Sequence, residues 1–183
     1  MTDSVVTHCS PEAISDLILA VRVDPHDGLM RTEKLLADFP ADPTLHFLRG
    51  SLLAAARRYA EARDEMATSV RLSPEYSLAR FQLGLLELTS GRPVVAETIW
   101  APLEELAPVD PLRIFSLGLC HLIRDQFGEA IAHLREGIRL NHDNPPLNGD
   151  MQMLIERIEA AQAGGGPIPA THLLLLRYSG TKQ

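Results

Sequence analysis

The residues of this chain that could do chemistry are few, and their spacing matches no known catalytic pattern. Cys120 and His121 are adjacent, and a cysteine beside a histidine acts as a nucleophile–base pair only when the two side chains meet. Neighbours in a helix do not face each other, so we predict that this pair packs in the interior. Glu104 and Glu105 favour a solvated helix face, because a catalytic carboxylate pair must converge in space.

Other catalytic and ligand-binding signatures are also missing from the sequence. The seven histidines have no metal-ligand spacing, and there is no CxxC, HExxH or GxSxG pattern. The triple glycine at 164–166 lacks the lysine of a phosphate-binding loop. The sequence therefore predicts a non-enzymatic protein with no catalytic residues, no metal and no cofactor.

Composition narrows the class of protein further. The 183 residues are 45% hydrophobic and 22% charged, which is typical of a globular domain that needs no disulfide framework. Cys9 and Cys120 are accordingly predicted to be idle thiols. The net charge of −7 argues against a nucleic-acid partner, and no apolar run is long enough for membrane insertion. Because residues 1–10 have no signal-peptide pattern, we expect a cytoplasmic protein.

An internal repeat is the strongest signal in the chain. Four columns recur at an interval of 34 residues: Pro40, Pro74 and Pro108; Gly50, Gly84 and Gly118; Ala62, Ala96 and Ala130; and Leu72, Leu106 and Leu140. A fifth position holds a large apolar residue each time, as Met66, Trp100 and Leu134. Small residues let two helices approach closely, and a proline just past a helix stops it. The period therefore predicts a series of helical hairpins.

These columns resemble those of the tetratricopeptide repeat (TPR) family. Three repeats fit, at 43–76, 77–110 and 111–144, with helices expected at 43–57, 60–72, 77–90, 94–106, 112–124 and 128–140. Residues 9–42 look like a degenerate fourth hairpin, 145–163 like a capping helix, and 164–183 like a Gly/Pro linker with an apolar tail. The resemblance implies an all-α, right-handed superhelical solenoid of TPR hairpins.

In the TPR family, certain positions of each first helix line a concave groove that binds peptides. The resemblance places three columns there: Phe47, Phe81 and Phe115; Ser51, Leu85 and Leu119; and Ala54, Leu88 and Leu122. Residues at i, i+4 and i+7 share one helix face, so the groove is expected to be apolar. TPR domains that clamp a chaperone's carboxylate use lysine, asparagine and arginine here, and the sequence therefore argues against that function.

An exposed apolar groove of this size needs a cover, because three phenylalanines alone could present on the order of 450 Å². The sequence leaves three ways in which this groove could be buried. The fold could bury these residues as ordinary core, or the leucine run Leu173–Leu176 could plug the groove or swap into a second subunit. The third is an apolar helix or extended segment of a partner protein.

The function predicted first is a TPR adaptor or chaperone that binds an apolar peptide or helix. The alternatives are a self-assembling structural protein that dimerises through the groove or tail, and an accessory subunit of a separately encoded enzyme or secretion system. In architecture alone, the chain also resembles the TPR chaperones of type III secretion translocators.

Overall fold

The structure is a computed structural model, and it describes residues 8–163. This part of the chain is helical, with nine α-helices, one 3-10 helix and no strand. The elements are α1 (Pro11–Val23), α2 (Pro25–Asp38), α3 (Pro43–Ala55), α4 (Tyr59–Leu72), α5 (Ser77–Thr89), α6 (Pro93–Trp100), the 3-10 helix (Ala101–Glu105), α7 (Pro111–Ile123), α8 (Phe127–Leu140) and α9 (Pro145–Ala163). The leucine run Leu173–Leu176 lies outside the described residues.

The helix starts follow directly from local sequence. Proline stands in the first turn of α3, α6 and α7, where its fixed φ fits and its missing N–H leaves no hydrogen bond unmade. The carboxylates of Asp42 and Asp110 cap α3 and α7 by accepting backbone N–H bonds. These caps lie 68 residues apart, which is two repeat periods.

The turn inside each of three hairpins contains one residue in the left-handed region. These residues are Arg57 (φ 61°), Gly91 (φ 77°) and Asp125 (φ 57°), again at intervals of 34 residues. The next residue's N–H returns to a carbonyl five positions earlier, as from Arg92 to Glu87 at 3.0 Å. This is the Schellman arrangement that ends a helix and reverses the chain.

The expected helix at 94–106 is wrong beyond Trp100. There the α-helix ends, and residues Ala101–Glu105 form a 3-10 helix. Pro102 is the physical reason, because its ring clashes with the carbonyl of the preceding turn and it has no N–H to donate.

The helices fall into two units, of which the first extends to Leu83. In this N-terminal unit, α1 packs on α2, α2 on α3 and α3 on α4. Leu17 and Leu45 form a buried cluster with Cys9. The glycine column works as predicted here, because a Cβ on Gly50 would lie 2.8 Å from Cγ of Met66.

The C-terminal unit begins at Gly84, within α5. In it α7 packs on α6 and α8, and α8 packs on α9. The indole of Trp100 occupies the space left by Gly84, where a Cβ would lie 2.5 Å from its Cε2. The buried face of α9 carries Met151, Leu154, Ile155 and Ile158.

Candidate partner-binding site

Six of the seven predicted groove residues are buried in the structure. Phe81 and Phe115 are both 0% exposed and Leu85 is 7% exposed, and the other buried members are Leu88, Leu119 and Leu122. Phe47 is half-buried. The burial favours the core interpretation that the sequence left open for these positions, and the expected exposed phenylalanine surface is absent at Phe81 and Phe115.

The position of Phe115 shows why it is buried. Its ring lies over Gly137 of α8, where a Cβ would be 2.5 Å from Cδ1 of the ring. Phe115 thus fills the space between the two helices of its own hairpin. The column mapping missed this contact, although the glycine at 137 was a sequence signal that a neighbouring helix approaches closely there.

Phe47 has a different neighbour. Its ring packs edge-on against Tyr76, with the ring centroids 5.3 Å apart and the planes at 63°. Such a T-shaped pair is a favourable aromatic arrangement. Phe47 is therefore the member of its column that retains solvent-accessible surface.

A cleft opens where the end of α5 meets α9. Seven side chains line it, and we call it the α5–α9 cleft: Leu85, Thr89, Asp150, Met151, Met153, Leu154 and Arg157. The cleft is shallow, with a cavity volume of about 30 Å³. Of the predicted site residues, Leu85 is the one that the structure brings to this cleft. Helix α9 thus faces the same side of α5 that the columns assigned to the groove.

Thr89 and Met153 are site residues that the sequence reasoning missed. Thr89 lies one helical turn after Leu85, so its position was available from the i, i+4 rule. Its hydroxyl donates to the Leu85 carbonyl at 2.8 Å, which satisfies the donor within α5. Met153 lies off the buried stripe of α9 and is 45% exposed. An exposed methionine beside buried Leu154 makes the wall of the cleft apolar up to its mouth.

The two charged residues of the cleft are separated along α9. Asp150 and Arg157 are seven residues apart, which is about 10 Å along a helix, and Met153 and Leu154 lie between them. The cleft therefore has an apolar centre flanked by one negative and one positive side chain.

The Cys120–His121 pair is not arranged for nucleophilic catalysis. Burial, and next the charge of Glu97, raises the pKa of the Cys120 thiol to about 11, so the neutral thiol predominates near pH 7. His121 hydrogen-bonds through Nδ1 to Gln126 Oε1 at 2.7 Å, and its ring stacks on that of His133. Burial, and next the charge of Asp42, also raises the pKa of Cys9.

Within residues 8–163, no three His, Cys, Asp or Glu side chains are grouped so that they could hold a metal ion. None of the helices described there combines the length and the apolar character needed to cross a membrane.

Comparisons with known proteins agree on the repeat architecture. Residues 24–77 match the tetratricopeptide repeat family. The structure is similar to MamA (41-end) from Desulfovibrio magneticus RS-1, with a TM-score of 0.60 and 16% identity over 92% of this chain and 96% of that one. It is also similar to YrrB, described as a TPR protein with an unusual peptide-binding site, with a TM-score of 0.57 and 17% identity over 94% and 93% of the two chains.

The search of curated proteins gives no match. At identities of 16% and 17%, the similarity to these structures is evidence for the fold alone. It confirms the predicted all-α fold built from TPR hairpins. With the family match and the 34-residue period, the conclusion is that residues 24–77 match the tetratricopeptide repeat family and that the described part of the chain has the fold of TPR hairpins.

Proposed function

We propose that this chain is a non-enzymatic adaptor or chaperone that binds an apolar segment of a partner protein in the α5–α9 cleft. TPR proteins are protein-interaction modules, and the finer assignment rests on one observation. The cleft presents an apolar wall of Leu85, Met153 and Leu154, and Met153 opens this wall to solvent with 45% of its surface exposed.

The chemistry of the cleft suits a short apolar stretch of polypeptide. Methionine adapts its shape to different side chains and recurs at surfaces that accept varied apolar partners. Asp150 and Arg157 at the two ends of the apolar centre would orient a bound segment through its own charges. The neighbour YrrB, described as having an unusual peptide-binding site, supports a peptide as the type of partner.

The buried column residues have a supporting role in this proposal. Leu119 and Leu122 are 0% exposed, so they hold α7 in the unit without touching a partner. The binding surface is therefore smaller than the predicted groove, and it is centred on α9 instead of the phenylalanine column.

The test uses Met153→Glu, with Met30→Glu as the matched control. The two methionines are 45% and 49% exposed, so each variant adds one charge at a half-exposed helical site. A displayed library of random twelve-residue peptides is selected on the wild-type chain, and the affinity of the selected peptides is measured by fluorescence anisotropy. We expect leucine- and phenylalanine-rich peptides whose affinity falls at least tenfold in Met153→Glu and stays unchanged in Met30→Glu.

Two results would contradict the proposal. One is that selected peptides bind both variants equally, which would place their site elsewhere. The other is that the wild-type chain forms a dimer that Met153→Glu dissociates, which would make the cleft an assembly surface.

A further inference from the structure

We infer that the leucine run Leu173–Leu176 docks in the α5–α9 cleft of its own chain and competes there with the partner segment. The docking is independent of the proposed function, whereas the competition rests on it. The occupant is thus a named part of the same polypeptide, and the cleft is a switchable binding site.

The chain length permits this contact. Helix α9 ends at Ala163, and Met153 and Leu154 lie ten and nine residues before that end, or about 14–15 Å along the helix axis. The eight residues 164–171 connect α9 to the segment that begins at His172, and eight residues reach at most ~26–29 Å. The connection is therefore long enough for the leucines to return beside the middle of α9.

The lining of the cleft and the leucine run are both apolar. The centre of the cleft is formed by Leu85, Met151, Met153 and Leu154, and the returning segment offers four consecutive leucines. Burial of the leucine side chains favours the docked state, whereas ordering of the leucines and of the connecting residues opposes it by a similar amount. Gains and costs of similar size predict a docked state that a better-fitting segment displaces.

The effective local concentration favours the leucine run of the same chain over that of a second copy as the occupant of the cleft. A short connection between two binding groups gives an effective local concentration in the millimolar range. A second copy at micromolar concentration supplies the same leucines about a thousandfold more dilute. We therefore assign the cleft to the chain's own leucine run.

The test is methyl NMR on the full chain labelled with ¹³C at the methionine methyl groups. The chain has five methionines, and Met151 and Met153 line the cleft whereas Met30 and Met66 lie in the N-terminal unit. The test variant is Leu174→Asp with Leu175→Asp. The matched control is Thr171→Asp with Ser179→Asp, which adds the same charge on either side of the leucine run.

We expect the Met153 signal to move in the leucine variant and to stay in place in the control, with Met30 and Met66 unchanged in both. Peptides selected on the cleft should then bind the leucine variant at least tenfold more tightly than the wild-type chain. Light-scattering mass at each concentration should stay that of a monomer.

Each other outcome is informative about a different part of the inference. An unchanged Met153 signal in the leucine variant overturns the docking. A shift that disappears on dilution together with loss of a dimer overturns the intramolecular form, because the occupant is then a second copy. A shift at Met153 with unchanged peptide affinity upholds the docking and contradicts the use of this cleft by the partner.

Discussion

The hairpin α3/α4 and the hairpin α7/α8 share one backbone plan and have different interiors. Their caps, Asp42 and Asp110, and their left-handed turn residues, Arg57 and Asp125, are each 68 residues apart. The side chains between the helices do not follow this equivalence. The repeat thus determines where helices start and turn, and individual residues determine what each hairpin buries.

In α3/α4 a polar cluster connects the two helices. Glu65 accepts a hydrogen bond from His46 Nδ1 at 2.7 Å and one from Arg49 Nη1 at 2.8 Å. The other ring nitrogen of His46 lies 2.9 Å from the Pro40 carbonyl. Residues shifted by 68 from His46, Arg49 and Glu65 are Ile114, Leu117 and His133. In α7/α8 two of these three positions are therefore apolar, and the ring of His133 stacks on that of His121.

A second difference concerns the phenylalanines. Gly137 leaves room for the ring of Phe115 between α7 and α8. The equivalent residue of α4 is Ser69, which is fully buried and donates from Oγ to the Pro43 carbonyl at 2.7 Å. In α3/α4 the hydroxymethyl group of Ser69 occupies this position, and Phe47 packs on Tyr76. The two phenylalanines therefore have different neighbours, and one is core whereas the other is half-buried.

The largest effect is expected from Gly137→Ala. The added methyl group meets the ring of Phe115, and because overpacking of a close contact costs ~1–3 kcal/mol, we expect the free energy of unfolding to fall by about 3 kcal/mol. The control is Gly128→Ala on the same helix, where a Cβ would meet nothing within 4 Å. The control should stabilise the chain by up to ~1 kcal/mol, as measured by urea denaturation. Equal effects of the two substitutions would contradict the assigned packing of Phe115.

The next largest effect is a difference in stability loss between alanine variants of the two capping aspartates. Asp42 is 3% exposed and accepts from Thr44, Leu45 and, through Oδ2, from the backbone N–H of Cys9 at 2.7 Å. Asp110 caps α7 alone. Asp110→Ala should therefore cost about 1 kcal/mol. Asp42→Ala should cost about 2 kcal/mol, because it also leaves a buried N–H unpaired.

Thermal and urea unfolding of the two variants check this difference. If Asp110→Ala proves the more damaging, the contact between Asp42 and Cys9 does not stabilise the N-terminal unit.

The smallest effect is expected at the three left-handed turn residues. Arg57 and Asp125 hold φ values near 60°, which cost roughly 1 kcal/mol or more for residues with a side chain. Arg57→Gly and Asp125→Gly should each stabilise the chain by up to ~1 kcal/mol. Gly91→Ala should destabilise it by a similar amount, although a Cβ there meets nothing within 4 Å. Three melting temperatures test the set, and a stabilising Gly91→Ala would contradict the shared turn geometry.

Much of the fold could be predicted from the chain because its signals are local. Prolines at helix starts, capping aspartates and the period of 34 residues act within one or two turns of helix. Helix α9 begins at Pro145, as expected, for this reason. The error at the end of α6 was also local, since Pro102 was visible in the sequence and its effect on the preceding turn was not applied.

The candidate site was less predictable, because a column of equivalent positions carries no information about which neighbour fills the space beside it. Leu85 and Leu119 occupy the same column, yet Leu85 lines the α5–α9 cleft and Leu119 does not. The reason is the position of α9, which faces the end of α5. Met153 became a site residue through the same contact and not through its place in any periodic pattern.

By itself, the sequence determined the helices, the turns between them and the TPR-like repeat of this protein, since each depends on residues close together in the chain. The tertiary structure alone decided which apolar side chains became core and which remained at a surface. Burial depends on the atoms that neighbouring helices bring to a side chain. Phe115 lies against Gly137 and is fully buried, whereas Phe47, for which the equivalent residue is Ser69, packs on Tyr76 and is half-buried.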